Sequence, residues 1–240
     1  MIISGKNSIT EALKSQTSIN KIQIVKNGRG FESMIELAKQ KKVRFEFVDK
    51  EVLDRQSQFH QGVIADVIDF EYCEMEDILA FAQKMDQPPF ILVLDGIEDP
   101  HNFGAIIRSA ECAGVHGIVI SKHRAVPVNE TVVKTSAGAI SNMKIARVTN
   151  INQTLDYLKE NNVWVFGAES KGESIYKTNL TGAVAIVIGS EGQGISRLTL
   201  EKCDGIISLP LYGKVNSLNA SVACGIVLYE VLRQNHMKKD

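Results

Sequence analysis

Three stretches of this 240-residue chain place glycine beside polar or charged residues directly after an apolar run. Ligands of open α/β folds bind at strand-to-helix corners of this kind. In the first, Phe90-Ile91-Leu92-Val93-Leu94 leads into Asp99-Pro100-His101-Asn102-Phe103-Gly104 and on to Arg108. Asn102 can cap a helix or reach a ligand, and Gly104 permits close approach to the backbone. Arg108 lies near enough to Asn102 to share a site, where it could clamp an anion or stabilise developing negative charge. Taken alone, this stretch also reads as a capped surface helix with a solvated arginine.

The second stretch is Gly189-Ser190-Glu191-Gly192-Gln193-Gly194, after Ile186-Val187-Ile188. Its order is G-x-x-G-x-G, not the dinucleotide fingerprint, and the chain has no P-loop. The loop holds a carboxylate and no Lys or Arg. It suits a neutral or cationic ligand, such as a nucleoside read by backbone groups, unless it is a plain tight turn. The third stretch runs from Leu209-Pro210-Leu211-Tyr212-Gly213 to Asn216-Ser217-Leu218-Asn219. A helix is predicted from about Ser217, which puts Ser217 and Asn219 in a first turn. Free N–H groups there suit a carboxylate or an oxyanion. Ordinary capping by Asn216 or Ser217 is the plain alternative.

The elements that must position these residues follow from hydrophobic patterning. Apolar runs at 90–94, 117–120, 163–166, 183–188 and 205–209 alternate with helical spacing at 102–113, 129–140, 151–160, 197–202 and 217–234. Buried strands alternating with helices predict an α/β fold with a mostly parallel sheet and helices on both faces. Residues 1–70 read as a smaller α/β domain with helices at 7–14, 31–40 and around Val52-Leu53. Its strands are predicted at 22–25, 43–48 and 62–65. Residues 71–89 read as a linker with one acidic helix, and 90–240 as the second domain.

Composition bounds the partners. Lys and Arg number 27 against 28 Asp and Glu, so the net charge of −1 argues weakly against a nucleic-acid partner. The acidic surplus is concentrated in Glu71, Glu74, Glu76, Asp77 and Asp86, which can mask a basic face elsewhere. Cys73, Cys112, Cys203 and Cys224 form no C-x-x-C pair or zinc-spaced cluster. No metal is therefore expected, and at least three of these cysteines read as reduced core fillers. The chain has no apolar run long enough to span a membrane and no secretory pattern at Met1, so a cytoplasmic protein is expected. His101 and His60 are the histidines that could touch a substrate, though each also reads as a loop or turn residue. His116, His123 and His236 read as structural or exposed.

Taken together and in this order, the three stretches resemble the motifs of the SpoU/TrmH family of RNA 2′-O-ribose methyltransferases, part of the SPOUT class. The matching segments are Asp99–Arg108, Gly189–Gly194 and Leu209–Ser221. Gly5 and His60-Gln61-Gly62-Val63 are similar to pieces of the family's small RNA-binding domain, as in its RlmB-type branch, which acts on a guanosine of 23S ribosomal RNA. Phe103 and Leu211-Tyr212 depart from the family pattern.

The resemblance implies S-adenosylmethionine as cofactor, an RNA partner, a homodimer with the active site near its interface, and a C-terminal trefoil knot. It implies Arg108, Asn102, Glu191, Ser217 and Asn219 at the reaction centre. Gly189, Glu191, Gly192, Leu209, Leu218, Asn219 and Ala168 would hold the cofactor. In this reading Arg108 stabilises the forming alkoxide and clamps the adjacent phosphate, because a guanidinium rarely gives up its proton. Lys6, Lys21, Lys26, Arg29 and His60 are the expected RNA contacts. A transfer-RNA ribose is the alternative substrate, and a non-catalytic RNA-binding or ribosome-assembly protein is the alternative class. The missing fingerprint speaks against a nicotinamide dehydrogenase.

Overall fold

The computed structural model describes residues 2–14, 18–68 and 70–236, and the chain divides into two compact units. The first comprises Met1–Glu71 with Pro127–Glu130. It contains β1 (Ile2–Ser4), α1 (Lys6–Lys14), β2 (Ser18–Val25), α2 (Glu32–Gln40), β3 (Arg44–Val48), α3 (Lys50–Asp54) and β4 (Val63–Ile68). The sheet order is β1-β4-β2-β3, with β2 and β3 parallel and β4 antiparallel to both β1 and β2. Ile22 and Ile24 alternate inward on β2, and Ile9 and Leu13 are one helical turn apart on α1, so both elements bury a face in one core. Strand β1 is too short for periodicity to reveal.

The second unit comprises Tyr72–Val126 and Thr131–Asp240. Its strands are β5 (Phe90–Asp95), β6 (Gly117–Ser121), β7 (Ile145–Val148), β8 (Trp164–Ser174), β9 (Val184–Gly189) and β10 (Gly205–Ser208). They form a wholly parallel sheet in the order β10-β8-β9-β5-β6-β7. Helices α4 (Met75–Lys84), α5 (Pro100–Cys112), α6 (Glu130–Thr135), α7 (Ile151–Glu160), α8 (Arg197–Lys202) and α9 (Ala220–His236) accompany it. Ile91 and Val93 pack with Ile78 and Leu155, while the alternate residues Leu92 and Leu94 are equally buried, as a sheet covered on both faces requires.

Three departures from the sequence expectations have physical causes. The expected linker 71–89 is built into the second unit. Ile78 of α4 is fully buried and packs where Gly117 leaves room, and Cys73 bridges to Ala146. Strand β7 escaped the search for apolar runs because Lys144 and Arg147 interrupt it. The expected helix at 129–140 breaks after Thr135 because Ala137 and Gly138 take left-handed backbone, and a short 3-10 turn follows at Ala139–Asn142. After β10, at the sheet edge, the chain returns so that α9 packs on α5 and β9.

Candidate active site

The C-terminal ends of β5, β8 and β9 converge on one tight loop. Ser190 and Gly194 exchange backbone hydrogen bonds of 3.1 and 2.9 Å, closing the turn 190–194 on itself. A Cβ on Gly189 would lie 2.1 Å from the Gly194 carbonyl carbon, and one on Gly194 would lie 2.5 Å from Glu169 Oε1. These glycines are therefore required by the loop's own closure. Glu169 pins its far side by accepting from the Ile195 N–H at 2.7 Å, and Asp95 accepts from the Ser196 N–H at 2.9 Å.

Glu191, at the loop tip, joins the three motif stretches. Its Oε1 accepts from Asn102 Nδ2 at 3.1 Å, from the Ala220 N–H at 3.2 Å, and from Asn219 Nδ2. Asn219 Nδ2 also donates to Asn102 Oδ1 at 2.9 Å. The carboxylate thus faces the start of α9, where the helix dipole favours negative charge.

The helix ends differ from expectation. Asp99 caps α5, accepting from the N–H groups of His101 and Asn102, with Pro100 in the first turn. This leaves the Asn102 side chain free for Glu191. Gly104 admits α6, since a Cβ there would lie 2.6 Å from Thr135 Cβ and 3.0 Å from the Val132 carbonyl oxygen. Helix α9 begins at Ala220, and Asn219 caps it, accepting from the N–H groups of Ser221 and Val222. Ser217 sits in the exposed approach 211–219, because Gly213 and the polar residues around it sustain no helix there.

Two cavities flank the Glu191 loop. The smaller, about 410 Å³, is lined by Ala168, Gly189, Gly192, Leu209, Ser217 and Leu218 together with Glu169 and Glu191, and by no Lys, Arg or His. It opens where β8 and β10 break register, between Ile206 and Ile207. Two carboxylates, apolar walls and backbone groups fit a cationic ligand with an apolar body, such as an adenosyl sulfonium, and suit a phosphate-bearing dinucleotide poorly. The larger, about 630 Å³, is lined by Asn102, Glu191, Asp95, Glu98, Arg124 and Arg197, among others. Sequence reasoning missed Arg124, and Glu169 entered it only as part of the 167–169 loop that the family resemblance assigns to the cofactor.

Arg108 is not brought to this cluster. It lies about 9 Å along α5 from Asn102 and two-thirds of a turn around it. It is exposed and makes no hydrogen bond or ion pair among the described residues. His101, Arg108 and Cys112 form one exposed stripe of α5, and Val222, Ile226 and Tyr229 form an exposed apolar stripe on the neighbouring α9.

In the first unit, Lys6, Lys26 and Arg29 gather at the end where Gly5 and Val25 bond the 62–63 turn, whereas Lys21 lies farther back on β2. Lys6 Nζ sits 6.0 Å from the Phe31 ring centroid, and Lys21 and Lys26 pair with Glu46 and Asp49 in exposed ion pairs. His60 is buried. Its Nδ1 accepts from the Gly62 N–H at 2.9 Å and its Nε2 meets Asp54 Oδ1 at 2.8 Å, so it locks a turn and offers no surface to RNA. In the second unit His116 is buried and His123 exposed, while the side chain of His236 lies outside the described residues. Cys224 is buried, Cys73 and Cys203 are half-buried against the core, and Cys112 is exposed. Burial pushes the Cys73 and Cys203 thiols up to about 11 and Cys224 to about 12. Among the described residues no His, Cys, Asp or Glu group is arranged to hold a metal, and no helix is long and apolar enough to cross a membrane.

Comparison with known proteins accounts for both units. Residues 89–229 match the SpoU rRNA methylase family model, and residues 2–73 match the model for RNA 2′-O ribose methyltransferase substrate binding. A TrmH family tRNA/rRNA methyltransferase of Bacillus subtilis, YacO, is 44% identical, covering 97% of this chain and 95% of its own length. The SpoU methyltransferase AviRb of Streptomyces viridochromogenes, solved with AdoMet, shares the fold. Its TM-score is 0.64 at 22% identity, covering 98% of this chain and 89% of that one. The A. aeolicus TrmH/SpoU tRNA modifying enzyme has a TM-score of 0.57 at 27% identity, covering 66% of this chain and 84% of its own. The chain belongs to the SpoU/TrmH family of RNA methyltransferases.

Proposed function

We propose that the protein transfers a methyl group from S-adenosylmethionine to a ribose 2′-hydroxyl, with a guanosine of 23S ribosomal RNA as its target. The observation that carries this reading is Glu191, whose hydrogen bonds join the three motifs between two cavities, one without basic residues and one lined by two arginines. When bound, S-adenosylmethionine supplies an electrophilic methyl group on a positively charged sulfur. Ala168, Gly189, Leu209 and Leu218 would hold its adenosyl part against backbone groups, and Glu169 and Glu191 would face its charge. Ser217 lines the same cavity and closes its outer side. Asn102 and Asn219, fixed through Glu191, orient the ribose.

Arg108 stabilises the alkoxide that forms on the attacking oxygen, and water in this open site takes the hydroxyl proton. Because Arg108 lies away from the Glu191 cluster, it does so at the dimer interface. A second copy covering the apolar stripe Val222, Ile226 and Tyr229 would also cover the α5 stripe that carries Arg108. Lys6, Lys26 and Arg29 would engage RNA phosphates. Ribosomal RNA is favoured over transfer RNA because the chain carries a substrate-binding domain at residues 2–73, whereas the tRNA modifying neighbour covers 66% of this chain.

The test is incubation with labelled S-adenosylmethionine and unmodified 23S ribosomal or transfer RNA, followed by mapping of the ribose methyl. Label in 23S RNA at a guanosine ribose is expected. Label in transfer RNA alone would replace the substrate, and label in neither would favour a binding protein. Arg108→Ala should lose most methyl transfer while retaining cofactor binding. Near wild-type turnover in that variant would remove Arg108 from the mechanism.

A further inference from the structure

Loop 122–126, which follows β6, serves no purpose in the reading above, yet it is firmly braced. The Lys122 N–H donates to the Val148 carbonyl at 2.7 Å, and Arg147 Nη2 donates to the Lys122 carbonyl at 3.3 Å. Ser121 Oγ accepts from the His123 N–H at 3.1 Å, and the Val126 N–H donates to the Ile97 carbonyl at 2.9 Å. At the centre of this frame Arg124 has φ +55°, a left-handed conformation that costs energy for a residue with a Cβ. Strain held by an over-determined frame tends to mark a functional site.

The frame places Arg124, an exposed residue, in the lining of the larger cavity, which Asn102 and Glu191 also line. That wall is rich in carboxylates: Asp95, Glu98, Asp99 and Glu191 all line it. A polyanion entering it needs a cation, and Arg124 and Arg197 are the basic residues of the lining. Arg197 lies 3.7 Å from Glu201, whereas Arg124 makes no ion pair or hydrogen bond among the described residues.

We infer that Arg124 grips the RNA phosphodiester next to the target ribose, holding the nucleotide over the Asn102–Glu191–Asn219 cluster. A guanidinium suits this task because its planar fork can donate two hydrogen bonds to one phosphate. Arg124 is a positioning residue: it binds the backbone beside the reacting ribose and leaves the cofactor cavity untouched. The inference rests on the RNA-methylation reading, but RNA binding alone can test it.

The experiment measures filter binding of the full-length protein to an unmodified 23S ribosomal RNA transcript over a salt series, together with S-adenosylmethionine affinity. Arg124→Gly is the main variant, because glycine tolerates the left-handed backbone while the whole side chain, guanidinium included, is removed. RNA affinity should fall about tenfold. The log–log salt dependence should become shallower by about 0.7 to 0.9. Cofactor affinity should stay within about twofold, since no new group meets the smaller cavity. Arg124→Lys should restore part of the RNA affinity and the salt slope, as a point charge does. Where methyl transfer is measurable, KM for RNA should rise and kcat change little. Unchanged RNA affinity and salt slope in folded Arg124→Gly would overturn the inference while leaving the methylation reading intact. Equal loss of cofactor affinity would also overturn it, by showing that the loop supports the whole site. Failure of the wild type to label any RNA would count against the methylation reading alone.

Discussion

The two cavities on either side of residues 190–194 share a wall and differ in how their charges are made up. The smaller has Glu169 and Glu191 and no basic residue; the larger sets Asp95, Glu98, Asp99 and Glu191 against Arg124 and Arg197. In the proposed function one loop would serve a cationic donor on one face and a polyanionic acceptor on the other. The difference teaches how the fold keeps them apart. Carboxylates that would repel RNA are turned to backbone donors, Asp95 to Ser196 and Asp99 to the start of α5. The cations of the larger cavity are Arg124 and Arg197, both exposed.

Removing the shared group should collapse the comparison. Glu191→Ala releases Asn102, Asn219 and the Ala220 N–H together, and methyl transfer should fall by about 10²–10³-fold, the scale of losing an electrostatic group at a reaction centre. Steady-state assay of the folded variant checks this; a loss below tenfold would mean that the cluster is only structural. Next in size, Gly189→Ala forces a Cβ to within 2.1 Å of the Gly194 backbone. Overpacking of this kind costs about 1–3 kcal/mol, so S-adenosylmethionine affinity should drop roughly 5- to 150-fold. RNA affinity should change far less. Calorimetry and filter binding on the same preparation would separate the two, and parallel losses would break the division.

What the sequence made legible follows from which signals are local. The parallel sheet and its strand-to-helix corners could be read because Phe90–Leu94 and Val184–Gly189 are continuous apolar runs. Asn102, Glu191 and Asn219 could be picked out because each lies in the polar, glycine-bearing stretch that follows such a run. The family resemblance brings the three together, but their hydrogen bonds to one another, across 89, 117 and 28 residues, are carried by no local pattern. Helix starts were misplaced by up to three residues because Asn216, Ser217 and Asn219 all have capping side chains, and tertiary bonding to Glu191 selects the last. Arg108 was placed in the site by proximity in sequence, yet helical geometry turns it to another face. Glu169 lies in the segment of β8 between its two registers with β10, where no apolar alternation marks it.

A smaller effect would sharpen the charge argument. Glu169 lines only the cofactor cavity, and its Oε1 is held by the Ile195 N–H. Glu169→Gln keeps a carbonyl oxygen for that bond and removes the charge. Cofactor affinity should weaken a few-fold, the scale of one partly exposed charge interaction of about 0.5–1 kcal/mol. Loss of affinity should be greater for S-adenosylmethionine than for the uncharged S-adenosylhomocysteine. Equal losses for the two ligands would show that shape, not charge, distinguishes the cavity.

The smallest effect concerns acid, which must not be mistaken for titration of either cavity. His116 lies in the scaffold, buried between α5 and β6, with Nδ1 accepting from the Phe90 N–H at 3.0 Å and Nε2 3.0 Å from Gln87 Oε1. Burial lowers its pKa below the usual histidine value, and a proton on Nδ1 would face the Phe90 donor directly. The folded state therefore binds a proton less readily than the unfolded chain. Stability is fully present above the unfolded pKa of about 6.5 and is lost as pH falls from there through the lower folded value. Thermal unfolding between pH 7.5 and pH 5.5 should show this decline. His116→Asn keeps an acceptor for Phe90 but cannot titrate, so its decline should be shallower. If the variant falls as steeply as the wild type, the acid sensitivity does not belong to His116.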